Sequence, residues 1–90
     1  MTVRIESVQP RSIYLRINNR LKIYHRIRDV QDRGNGIFTV YIAGFDEPFI
    51  VEGGRRAGGR KTDWFVDGPG LSRTIKATSL VDALNLIDGM

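Results

Sequence analysis

Cysteine is absent from this chain of 90 residues and histidine occurs once, as His25. The first absence removes disulfide staples, thiolate metal ligands and a thiol nucleophile. With one histidine and no cysteine, a zinc site would need several carboxylates, a poor donor set for that ion. No serine has a credible base with an orienting partner, because the alternation of the surrounding strand puts His25 on a buried face. No apolar run approaches the roughly 18 residues of a membrane helix. The opening stretch Met1-Thr2-Val3-Arg4-Ile5-Glu6 lacks the apolar middle of a signal peptide. These absences predict a cytoplasmic, non-enzymatic protein with no cofactor, no metal and no membrane partner.

Lysine is scarce as well. Of fourteen basic residues eleven are arginine, the side chain suited to bidentate phosphate contacts and to stacking on planar rings. The charge is uneven. Residues 1–45 carry Arg4, Arg11, Arg16, Arg20, Lys22, Arg26, Arg28 and Arg33 against Glu6, Asp29 and Asp32, a balance of +5, whereas residues 46–90 balance at −1. A sequence pI near 10.0 with one basic half favours an anionic partner. An arginine bias of genomic origin gives the same composition. The hydrophobic fraction of 41% is that of a globular chain, which excludes disorder throughout, and the length suits one domain spanning 1–90.

Period-two patterning dominates, so strands are expected. Val3 and Ile5 suggest a short strand ended by Pro10. Ile13, Leu15 and Ile17 then alternate on one face, and after Asn18-Asn19 the alternation resumes with Leu21, Ile23, His25 and Ile27. A two-residue loop would pair Ile17 with Arg20 and place charge on the apolar face. A three-residue loop over residues 18–20 pairs Ile17 with Leu21 and is the register that the apolar pattern prefers. It sets Tyr14 opposite Tyr24, Arg16 opposite Lys22 and Ser12 opposite Arg26, with Arg28 beyond. Cations around a tyrosine pair on an open sheet face are what single-strand binders use, the cations following phosphates and the rings stacking on bases. Exposed strands also carry arginine and tyrosine for solubility alone.

Further along, the glycines of Arg33-Gly34-Asn35-Gly36 mark a turn, and residues 37–43 read as a central strand covered on both faces. After a second turn at residues 44–48, Phe49-Ile50-Val51 opens another strand. Asp46, Glu47 and Glu52 bracket that turn as acidic residues facing water. Next comes Gly53-Gly54-Arg55-Arg56-Ala57-Gly58-Gly59-Arg60-Lys61, a glycine-rich basic loop expected to be flexible when free and to order on a polyanion. A gripping loop for a protein partner has the same composition. Gly54 and Gly59 have the separation of a phosphate-binding P-loop, but Arg60 precedes Lys61-Thr62 and a strand follows where that motif needs a helix. Trp64-Phe65-Val66 and Arg73 to Ala77 complete the strands. Trp64 follows the basic loop directly, so it is either core or a stacking platform at the base of the loop. Leu80, Ala83, Leu84 and Ile87 form the stripe of a C-terminal helix, capped by Thr78 or Ser79 with Asp82 reaching back.

The expected architecture is α+β: a twisted antiparallel sheet of five to seven short strands, curled toward a barrel, with one C-terminal helix. The expected function is nucleic-acid binding with little base specificity. Its contacts would be the hairpin set Tyr14, Arg16, Lys22, Tyr24, Arg26 and Arg28 and the loop set Arg55, Arg56, Arg60 and Lys61. The same features fit a compact inhibitor or adaptor of the kind phages and mobile elements encode, docking on an acidic surface of a host protein. Unpaired strand edges would also allow oligomers.

Overall fold

The computed structural model describes residues 12–90; the expected strand at Val3–Ile5 and its end at Pro10 lie outside them. Seven strands run in order: β1 Ile13–Ile17, β2 Arg20–Tyr24, β3 Ile27–Gly34, β4 Ile37–Ile42, β5 Phe49–Gly53, β6 Trp64–Asp67 and β7 Ile75–Ala77. One helix follows, α1 Leu80–Asp88. β1 and β2 make a separate two-stranded sheet, and β3 to β7 form an antiparallel sheet in chain order. Among the described residues the outer strands β3 and β7 of the large sheet are not joined, so the architecture is α+β and open, not the barrel toward which the sheet was expected to curl.

Alternation along the strands decides which face is buried. Val40 and Ile42 of β4, Phe49 and Val51 of β5, Val66 of β6 and Ala77 of β7 are buried on the helix side, where Ala83, Leu84 and Ile87 of α1 meet them. The opposite face is open along β5 and β6, where Ile50 and Phe65 are exposed. β4 is therefore covered less evenly than its apolar run suggests. On its outer face Thr39 is buried, and its hydroxyl accepts from Arg33 Nε at 3.0 Å, while Ile37 and Tyr41 are half-buried.

The helix starts where the sequence places it. Ser79 is the N-cap, its hydroxyl accepting from the Asp82 amide at 2.9 Å, and the Asp82 carboxylate reaches back to the Thr78 amide at 3.0 Å.

The hairpin departs from the expected register. Asn18 and Asn19 both adopt positive φ, 52° and 63°, which makes a two-residue turn of the twist that hairpins favour and pairs Ile17 with Arg20. Tyr14 therefore faces Ile23, Arg16 faces Leu21, and Leu15 faces Lys22. The apolar face of β1 tolerates the charge because Arg20 sits exposed beside the turn and Lys22 is only half-buried, so both amphipathic stems can keep their ends in water. Tyr24 goes into the core at 2% exposure instead of facing Tyr14, and His25, expected on the buried side, is exposed.

The chain breaks between β2 and β3, and one carboxylate holds the break. Asp88 accepts from the backbone N–H groups of three consecutive residues: His25 at 3.3 Å, Arg26 at 2.7 Å and Ile27 at 2.9 Å. Burial works against the charge of Asp88, but the amides of Arg26, Ile27 and His25 outweigh it and hold the carboxyl below the usual range. Nearby, burial and then the Asp88 charge push the Tyr24 phenol up, and its hydroxyl has no hydrogen-bond partner among the described residues.

Replacing Asp88 with alanine strands these amides in a partly solvated place, so we expect a loss of about 1–3 kcal/mol at neutral pH in urea titrations. Because the folded carboxyl titrates below its unfolded value, its contribution is present above the ordinary carboxylate range and fades as pH falls through the folded value. The stability gap between wild type and Asp88→Ala should therefore shrink on acidification. A gap that is absent at neutral pH, or constant down to strongly acid pH, contradicts this role.

Candidate functional site

The glycine-rich segment is folded, not the open loop its composition suggests. A 3-10 turn, Arg55–Ala57, occupies its centre and ends on Gly58 in the left-handed region. The Gly54 carbonyl accepts from Ala57 at 3.2 Å and Gly59 at 3.1 Å, while the Gly54 amide donates to Asp63 at 3.0 Å and so closes the base. Asp63 in turn donates to Arg60, also at 3.0 Å. Trp64 pins the descending arm, its indole N–H donating to the Lys61 carbonyl at 3.0 Å.

Two glycines make this packing possible. Gly54 has φ 71° and ψ −170°, a conformation open essentially to glycine alone, and a Cβ there would lie 2.8 Å from the Trp64 ring. Gly36, with φ 79°, would place a Cβ 2.6 Å from the Gly53 carbonyl oxygen and 2.9 Å from the Ala57 nitrogen. The backbone of the β3–β4 turn thus rests directly on the loop, and Gly53 donates to the Gly36 carbonyl at 3.0 Å.

Between loop and turn lies a cavity of about 340 Å³. Phe38 and Trp64 line it, with ring centroids 6.1 Å apart and planes tilted by 41°. Arg55, Arg56 and Lys61 line it too, and among the described residues no carboxylate does. The volume is at the small end of ligand pockets, which run from about 300 to 1,000 Å³, so it suits one ring-sized group. Beside the cavity Arg56 pairs with Asp32 at 3.2 Å, with side chains 59% and 48% exposed. The Gly34 amide and then Arg56 hold the Asp32 carboxyl below its usual range. So exposed a pair is held weakly, and an incoming anion can take Arg56 from Asp32 at little cost.

A second cavity, about 330 Å³, adjoins the first through Phe38 and runs between the hairpin and α1, past Arg16, Asn18 and Asp32. The fold thus brings Arg55, Arg56 and Lys61 together and sets Arg16 at the neighbouring opening. Arg60 is exposed on the same loop outside the cavity. The remaining hairpin residues scatter. Tyr14 is exposed on the outer face, Lys22 is half-buried and Tyr24 is in the core. Arg26 Nη2 donates to the Ala43 carbonyl at 3.1 Å, and Arg28 Nη1 donates to the carbonyls of His25 and Ile27. A tyrosine pair ringed by cations is therefore not formed.

Two residues of this site went unread in the sequence. Phe38 reads as core from its strand, and Asp32 carries no motif. The only available signal was that both flank the turn at residues 33–36.

Elsewhere, Ser12 Oγ lies 2.7 Å from His25 Nδ1, a serine–histidine contact that the expected burial of His25 had ruled out. Asp88 bonds the backbone amide of His25 and not its ring, so it does not orient the imidazole as a catalytic triad requires. Among the described residues no group of three or more histidines, aspartates and glutamates is placed to hold a metal ion, and no helix is long and apolar enough to cross a membrane. No family model, characterised protein or solved structure matches this chain.

The packing of Gly54 on the indole yields a direct test. Gly54→Ala should cost about 1–3 kcal/mol through backbone strain and shift the emission of Trp64, the one tryptophan of the chain. Unchanged emission together with unchanged stability contradicts the packing described.

Proposed function

We propose that this chain is a non-enzymatic binding protein for single-stranded nucleic acid, engaged at the cavity under the glycine-rich loop. One observation carries the reading: two aromatic rings and three cations, and no carboxylate among the described residues, line one small cavity. A base unstacked from its neighbours fits between loop and turn against Trp64 and Phe38, while Arg55, Arg56 and Lys61 take the flanking phosphates. Duplex offers no free base face, so single strands are preferred. Base identity matters little in this reading, since the cations are assigned to phosphates and stacking on aromatic rings tolerates any base. The preformed loop lowers the ordering cost that a disordered basic segment would carry.

Arg16, at the adjoining opening, extends the cationic track toward the hairpin. Tyr24, Arg26 and Arg28 are outside this reading because their side chains serve the core or backbone carbonyls. Arg60 contributes charge without lining the cavity.

Titration with an oligothymidylate at low salt should quench Trp64 fluorescence, and the affinity should fall with salt at a log–log slope of roughly −2, as expected for three phosphates on a single strand. Arg55→Glu with Arg56→Glu should weaken binding at least about tenfold while preserving the fold. Asp32→Asn, which releases Arg56, should strengthen it a few-fold. Absence of binding at low salt overturns the reading and assigns the basic surface to an acidic protein partner instead.

A further inference from the structure

Six large hydrophobic side chains are exposed among the described residues, and five of them fall into two patches of opposite charge. The first patch is the outer face of the hairpin. The two-residue turn pairs Tyr14 with Ile23 and Arg16 with Leu21, so these four share one face, with Tyr14 63%, Leu21 56% and Ile23 47% exposed. Arg16 on that face is exposed, whereas Arg20, opposite Ile17, belongs to the other face of the hairpin beside the turn; residues 12–28 contain no acidic side chain.

The second patch is on the large sheet, on the face away from α1. Ile50 and Phe65, 39% and 43% exposed, line a groove of about 590 Å³ with Glu47, Glu52 and Asp67. Among the described residues no basic side chain lines it. Lys76, the cross-strand neighbour of Phe65, has its amine 3.3 Å from Asp63.

Each patch has what the other lacks. Exposed apolar surface rimmed by charge of one sign marks an interaction site, and complementary sign selects the partner. The two cannot meet within one molecule. Leu15 and Ile17 anchor the hairpin on the helix side, beside Leu80 and Leu84, whereas the groove opens on the other face of the sheet. Two different patches meeting between copies make a head-to-tail contact, which repeats into a ring or a chain. We propose that the hairpin face of one molecule docks into the acidic groove of a second copy of this chain, Leu21 and Ile23 against Ile50 and Phe65, and Arg16 against Glu47, Glu52 and Asp67. The contact uses none of the residues that line the cavity under the loop and shares only Arg16 with the track beside it.

A head-to-tail interface is testable by complementation in sedimentation velocity. Wild type should show an average mass that climbs above 10.2 kDa as concentration rises, less so at high salt. Leu21→Glu spoils the hairpin face and keeps the groove; Phe65→Lys spoils the groove and keeps the hairpin face. Both positions are exposed, and circular dichroism checks that each variant is folded. Each variant alone should be monomeric, and their equimolar mixture should form a one-to-one dimer and nothing larger.

Wild type that stays monomeric to near-millimolar concentration at low salt overturns the proposal and leaves both patches to other partners. So does a mixture of folded variants that fails to dimerise. Phe65→Lys that still dimerises alone overturns it too, since hairpins would then be meeting each other.

Discussion

The position of the hairpin, and through it both faces of the molecule, depends on one carboxylate. Asp88 stands at the C-terminal end of α1, where the helix dipole disfavours a negative charge. It is kept there by three successive backbone amides at the break between β2 and β3. Without that acceptor those amides would have to find water or another partner, because neither sheet takes them through the break. The clamp ties the last turn of the chain to the start of the large sheet and lets β1 and β2 leave that sheet as a separate unit.

Two consequences follow from that departure. Leu15 and Ile17 come to rest on the helix side near Val30 and Phe38, which brings Arg16 to the cavity next to the glycine-rich loop. The outer face of the hairpin, carrying Tyr14, Leu21 and Ile23, turns away from the core and is uncovered among the described residues. A hairpin continuous with β3 would have extended the large sheet and set these side chains along it. The loop obeys a different constraint, the close approach of glycine backbone to Trp64 and to the β3–β4 turn, which fixes three cations around two rings.

Much of the fold was legible because it rests on local pattern. The apolar run of residues 37–43, the strand opening at Phe49-Ile50-Val51, the stripe of Leu80, Ala83, Leu84 and Ile87, and the Ser79–Asp82 cap each state their own structure within a few residues. The hairpin register was not legible. The argument that charge avoids the apolar face failed because Arg20 is beside the turn and Lys22 is half-buried, so neither is enclosed, while two asparagines with positive φ set the turn at two residues. The interruption at His25 and Arg26 was hidden for another reason: its cause, Asp88, lies at the far end of the chain. The loop announced its composition but not its 3-10 turn. The pairing of Phe38 with Trp64 joins strands that are not neighbours in the sheet, which no periodicity in either segment can reveal.

We propose the loop cavity, and not the hairpin, as the place where a nucleic-acid strand binds. Amide-resolved NMR titration with an oligothymidylate addresses it residue by residue. Shifts should concentrate on Gly36, on residues 53–64 and on the Trp64 indole N–H, and the amides of Tyr14, Leu21 and Ile23 should stay still at dilute protein. Shifts confined to residues 12–24, or no shifts at low salt, would contradict the account.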